Sequence, residues 1–272
     1  MNQLPSTVRR RAVLTGLASA PLAATAATTA AAEAGPTPSP IPPRTIYIAG
    51  DSTAAPKVRN LAPETGWGMA LPYFLADRIT VANQARNGRS SKSFVDEGRL
   101  EVILGRLRPG DVLLVQFGHN DQKAYDATRY TEPWTTYQSY LSLYVDGARS
   151  KGAIPVLATS AERRRFNAVS NAYTTLEEYP DGMRALAAAM DVPLVDVHTS
   201  TLGLWQKLGP DETAKYFRPD NTHFTPRGAA AVAEIVAIGL LDKGVVHRGD
   251  LRALNSVPPD SWFTWLDKDP DA

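Results

Sequence analysis

Asp111–Phe117 (DVLLVQF) is almost continuously apolar and ends abruptly in Gly118-His119-Asn120-Asp121. A run of that length, without polar alternation, reads as a strand covered on both faces. Covering both faces requires helices above and below, and the rest of the chain supplies them in alternation. Strands are expected at Thr45–Ile48, Ile79–Ala85, Ile154–Ser160 and Pro193–Val197. Between them, apolar residues at three- and four-residue spacing predict helices: Gly66–Ala76 with Pro72 interrupting, Lys92–Leu107, a stripe from Pro133 to Ala148, Asp181–Met190 and Thr199–Leu208. Pro133 is placed as a first helical residue, and Trp134, Tyr137, Leu141, Tyr144, Val145 and Ala148 as one core face. A last helix opens at Thr225-Pro226 with a cap and a first-turn proline. The expectation is an α/β fold of three layers, α/β/α, on a mainly parallel five-stranded sheet over residues 44–243.

The first forty residues do not belong to that core. Arg9, Arg10 and Arg11 precede an alanine-rich run to about Ala32, which reads as an export signal over residues 1–34, of twin-arginine type. Residues 35–43 form a Pro-rich leader. The expected product is secreted or extracytoplasmic, monomeric and without a membrane span in its mature form. Removing residues 1–34 takes three of 29 basic and one of 28 acidic residues, leaving a net charge of −1, which argues against nucleic acid as partner. The chain has no cysteine, so an exported form is held by its core alone. Residues 244–272, with Trp262 and Trp265, show no period and are expected to pack on the domain as an extension.

Gly50-Asp51-Ser52 stops the first strand where a tight turn is wanted, presenting Ser52 at a carboxyl end, where open α/β sheets bind ligands. Taken alone, a serine after Gly-Asp serves equally as a turn or helix-cap residue. A nucleophilic serine needs a base and a group to orient that base. Of four histidines, His223 has an aspartate, Asp220, three residues before it in one loop. His198 follows an apolar strand and reads as a satisfied core or cap residue. Acyl transfer also needs donors aimed at an oxyanion, and Ser52, Gly88 and Asn120 each follow a predicted strand on the same sheet edge. Their bland readings are a loop glycine and a turn former. No His-Glu-x-x-His or other metal spacing occurs, and no cofactor is expected.

Gly50-Asp51-Ser52, Gly88, Gly118-His119-Asn120-Asp121 and Asp220-Asn221-Thr222-His223, in that order, resemble the SGNH (GDSL-like) hydrolases, whose fold is flavodoxin-like. Gly-Asp-Ser-Thr in place of Gly-Asp-Ser-Leu, with NGRSSKSF, EGR, QFGHND, ERRRF and DNTHF, is similar to the rhamnogalacturonan acetylesterase group of carbohydrate esterases. The resemblance implies Ser52 as nucleophile, His223 as base and Asp220 as its orienter. It further implies Ser52, Gly88 and Asn120 as oxyanion donors and an acetylated polysaccharide as substrate.

Lys57, Arg59, Arg86, Arg89, Lys92, Arg163–Arg165, Lys215 and Arg218 fall on the predicted active-site edge. Such a rim suits an anionic polymer, with Arg89, Arg164 and Arg218 gripping galacturonate carboxylates. The bland reading is solvated arginines, or internal pairs with Glu64, Glu97 and Glu162. An esterase for acetylated xylan, a lipid or a cell-wall glycan would keep the same four blocks. A carbohydrate-binding protein without catalysis would lack Ser52, His223 or Asn120, and all three are present.

Overall fold

The computed structural model describes residues 44–269. The export signal and leader expected over residues 1–43 lie outside the described residues. Five strands, β1 (Arg44–Gly50), β2 (Ile79–Asn83), β3 (Val112–Gln116), β4 (Ile154–Ala158) and β5 (Leu194–Val195), form one all-parallel sheet in the order β2-β1-β3-β4-β5. Ile48 pairs with Asn83 on one side and Leu114 on the other. The order reverses at β1, so the crevice between β1 and β3 is the topological switch point where this architecture binds ligands.

Side-chain alternation along β3 divides the core in two. Val112 and Leu114, with Ile46, Ile48 and Val156, face a layer built from α1 (Trp67–Ala70), α6 (Val197–Ala214) and α7 (Pro226–Asp242). Leu113 and Val115 face the opposite layer. That layer comprises α2 (Ser91–Asp96), α3 (Arg99–Leu104), α4 (Thr136–Ser150) and α5 (Tyr179–Ala189). Every β3 residue is buried, as a strand covered on both faces must be. The three-layer α/β/α fold expected from the sequence is the fold observed. Among the described residues, no helix is long and apolar enough to cross a membrane.

Three local expectations fail for identifiable reasons. The helix expected over Lys92–Leu107 is two helices, because Gly98 takes φ 71 and restarts the chain in a new direction as α3. The helix after Pro133 starts at Thr136: Glu132 Oε2 accepts from the Trp134 N–H at 3.0 Å and from Thr135 Oγ1 at 2.8 Å, closing a turn first. Trp134 therefore falls outside the helical stripe and is 43% exposed, while Tyr137, Leu141, Tyr144, Val145 and Ala148 are buried. Strand β5 is cut to two residues because Asp196 caps α6, its Oδ1 accepting from the Thr199 N–H at 3.2 Å.

The segment after residue 243 packs on the first core layer through Val245, Val246 and Phe263. Leu266 pairs with Val58 in a parallel bridge, and Trp265 Nε1 donates to Glu64 O at 2.8 Å. At Gly98 no atom would obstruct an added Cβ, so only the backbone conformation resists one. Gly98→Ala should therefore cost about 1 kcal/mol and lower the melting temperature by about 2–4 °C, read by calorimetry.

Candidate active site

The turn after β1 is fixed by Asp51, a carboxylate with no solvent exposure. Its Oδ1 accepts from the Thr53 N–H at 2.9 Å and the Thr53 hydroxyl at 2.7 Å; its Oδ2 accepts from Gln116 Nε2 at 3.3 Å and lies 3.3 Å from His119 Nδ1. Burial alone would raise this carboxyl, but the His119 contact and the Thr53 hydrogen bonds outweigh it and hold the pKa below the ordinary value. Asp51 O also accepts the N–H groups of Ala54 and Ala55, at 3.2 and 3.0 Å. Ser52 is left half-buried at the apex.

His223 arrives on the loop between α6 and α7. Its Nε2 lies 2.8 Å from Ser52 Oγ, and its Nδ1 lies 2.6 Å from Asp220 Oδ2. The other Asp220 oxygen accepts the N–H groups of Thr222 and His223, both at 2.9 Å. Burial opposes charge on Asp220, but the donors from His223 and Thr222 prevail and depress its pKa. The carboxylate can therefore hold Nδ1 protonated, leaving Nε2 as an acceptor facing the serine hydroxyl. This hydrogen-bonded series can activate an alcohol nucleophile at neutral pH.

Gly88 and Asn120 follow β2 and β3, the strands flanking β1. Gly88 has φ 76, a conformation that suits glycine. The Asn87 carbonyl, in the peptide that carries the Gly88 N–H, accepts from Arg89 Nη1 at 2.9 Å. Asn120 Nδ2 donates to Arg89 O at 2.9 Å, and its Oδ1 accepts from Lys123 Nζ at 2.7 Å. Beside Gly88 opens a cleft of ≈ 650 Å³, where Arg89, Lys92 and Arg129 face Asp96, Glu97 and Asp126.

The basic rim is more internally engaged than its sequence suggests. Lys57 is 1% exposed. Its Nζ donates to Ser52 O at 2.6 Å and Asn87 Oδ1 at 2.7 Å, and pairs with Glu64 at 2.8 Å. This corrects its placement among solvent-facing cations, and burial pushes its ammonium below the ordinary value despite the Glu64 charge. Arg89 pairs with Glu97 at 2.9 Å. Arg164 donates to Pro210 O through Nε and Nη2 and to Asn221 Oδ1 through Nη1 at 2.8 Å, bracing the loop that carries His223. Arg218, in that same loop, has no hydrogen bond or ion pair to its guanidinium among the described residues. His198 is a satisfied histidine of the core, with Nε2 3.1 Å from Glu162 and Nδ1 3.2 Å from Arg184 Nη2.

Gln116 carries no sequence signal as part of this site, since its partners Asp51, Thr53, Trp67 and Ser160 lie on other segments, and Lys123 carries none although its partner Asn120 is only three residues away. Thr53 had one: it replaces leucine in the motif, and its hydroxyl reaches both Asp51 and Gln116 Oε1.

The chain belongs to the GDSL-like Lipase/Acylhydrolase family, whose profile matches residues 48–231. Within it, the chain is of the rhamnogalacturonan acetylesterase-like group of serine ester hydrolases. It is 42% identical over 217 residues to rhamnogalacturonan acetylesterase RhgT of Bacillus subtilis, covering 75% of this chain and 92% of that one. It is 41% identical over 208 residues to the probable rhamnogalacturonan acetylesterase YesY of the same organism, covering 74% and 94%. Among solved structures, the YxiM protein of B. subtilis superposes with a TM-score of 0.69 at 26% identity, covering 76% of this chain and 58% of that one.

Asp121, the last residue of the Gly118–Asp121 block, is fully buried; its Oδ1 accepts from the Ser91 N–H and hydroxyl and from Thr131 Oγ1. Burial dominates these donors and raises its pKa to about 7. An unfolded aspartate titrates near 3.9, so between about pH 4 and about pH 7 the folded state keeps a proton the unfolded state has lost. The stability this group contributes therefore falls as pH rises through that window. Asp121→Asn should remove that part of the slope in urea denaturation run across it; an unchanged slope would refute the assignment.

Proposed function

We propose that this chain removes acetyl groups from acetylated pectic polysaccharide, rhamnogalacturonan above all, through an acetyl-serine intermediate. The observation that carries the chemistry is the hydrogen-bonded series Ser52 Oγ, His223 Nε2, Asp220. Ser52 Oγ attacks the acetyl carbonyl while its proton passes to His223 Nε2, and Asp220 stabilises the imidazolium. Negative charge on the carbonyl oxygen is received by the N–H groups of Ser52 and Gly88 and by Asn120 Nδ2. Collapse breaks the C–O bond to the sugar, whose oxygen takes the proton from His223. Water then attacks the acetyl-serine, giving its proton to His223, and Ser52 Oγ recovers it as acetate leaves.

The substrate class rests on the two relatives named for rhamnogalacturonan and on the rim. The cleft beside Gly88 balances three cations against three carboxylates, which suits a hydroxyl-rich sugar, with Arg89 able to direct it. Arg218 supplies an uncompensated guanidinium beside the catalytic loop for a galacturonate carboxylate. Arg164 serves the same subsite by bracing that loop. An N-terminal twin-arginine signal over residues 1–34, with secretion of the remainder, completes the proposal and places the enzyme where such polymers occur.

Acetate release from acetylated rhamnogalacturonan, acetylated xylan and p-nitrophenyl acetate tests the reading. The pectic polymer should be preferred, and Ser52→Ala should lower kcat on every substrate by at least about 10⁴-fold. Preference for acetylated xylan would move the substrate class and leave the mechanism. Arg218→Gln should raise KM for the pectic polymer several-fold and leave KM for the small ester unchanged; equal effects on both would remove Arg218 from substrate binding.

A further inference from the structure

Of the three groups assigned to the oxyanion, two are peptide N–H groups that can present only a donor. The third, the Asn120 side chain, has an oxygen and a nitrogen of nearly the same shape, and turning the amide over would aim a lone pair at the oxyanion. Something must decide which way round it sits.

Two contacts decide it. Asn120 Nδ2 donates to Arg89 O at 2.9 Å, and Asn120 Oδ1 accepts from Lys123 Nζ at 2.7 Å. A backbone carbonyl can only accept, and an ammonium can only donate. In the reversed amide, oxygen would meet oxygen at Arg89 and an NH₂ group would meet the ammonium at Lys123. Local backbone holds the partners in register: the Lys123 N–H donates to Asn120 O at 3.2 Å and the Gln122 N–H to Gly118 O at 3.2 Å, winding this segment so that Lys123 returns over Asn120. Lys123 is only half-buried, and Asn120 is 3% exposed. A charged donor on Oδ1 also draws electron density from the amide, strengthening the remaining Nδ2–H as a donor.

We infer that Lys123 is a positioning residue for ester hydrolysis, acting through Asn120 by fixing and polarising the amide that receives the oxyanion. The inference rests on the reading of Asn120 as an oxyanion donor. It assigns Lys123 no contact with substrate, so its loss should appear in kcat and not in KM.

The test is a double-mutant cycle on p-nitrophenyl acetate with Lys123→Met, Asn120→Ala and the pair. Asn120→Ala should lower kcat about 10²–10³-fold, and Lys123→Met about tenfold with KM within about twofold of wild type. In the double variant, Lys123→Met should add nothing to the loss from Asn120→Ala, because its effect passes through the missing amide. Multiplicative losses, or a Lys123→Met enzyme with full kcat, would overturn the inference while leaving the oxyanion reading intact. Full kcat in Asn120→Ala would instead overturn the oxyanion reading itself.

A second variant separates charge from packing. The chain has no cysteine, so Lys123→Cys carries a single thiol. Alkylation with 2-bromoethylamine, verified complete by mass spectrometry, rebuilds an ammonium at nearly the original reach. It should recover most of the lost kcat, whereas the neutral adduct from iodoacetamide should not. Equal recovery with both reagents, or with neither, would overturn the role of the charge.

Discussion

A carboxylate withdrawn completely from water is tolerated only where donors replace its hydration, and Asp51 is such a group. Its four contacts come from Thr53 on its own turn, from Gln116 at the end of β3 and from His119 just beyond it. The same atoms therefore shape the turn that presents Ser52 and tie that turn to the neighbouring strand end. Gln116 extends the connection, accepting from Trp67 Nε1 at 3.0 Å and donating to Ser160 Oγ at 2.8 Å after β4. Ser52 is thus held by a polar network that joins four segments, where an ordinary turn would rest on local hydrogen bonds alone.

Outward from that network, each group of the Ser52–His223 site is backed by a further partner. Asp220 stands behind His223, Arg164 behind the loop that carries both, Lys57 behind the Ser52 and Asn87 positions. This layering is how a site on loops acquires the precision of a site on strands: the second set of contacts removes the freedom that loop backbone would otherwise keep. Most of these backing groups are cations directed at carbonyl oxygens, so much of the positive charge on this edge is spent inside the protein.

That distribution explains what could be read from the sequence and what could not. The fold followed from period and length: a fully apolar β3 requires two covering layers, and alternation supplied them. The contact between Asp220 and His223 is local, three residues apart, and their spacing is enough to expect it. Lys57 is the opposite case. A lysine on a loop looks solvated, and only the meeting of residues 52, 57, 64 and 87 makes it a buried tie. Gly98 and Trp134 failed for a different reason, since one backbone angle and one turn closed by Glu132 override a hydrophobic period that continues through both.

The tie at Lys57 reaches further along the chain than the contact between Ser52 and His223. Glu64, its ionic partner, offers its backbone carbonyl to Trp265, and Leu266 exchanges hydrogen bonds with the backbone of Lys57 and Arg59. The wall behind Ser52, near the start of the described fold, is thus joined by residues about two hundred positions further along the chain. A segment that carries no motif thereby backs the motif-bearing turn, and the enclosure of Lys57 is a joint product of both ends of the described fold.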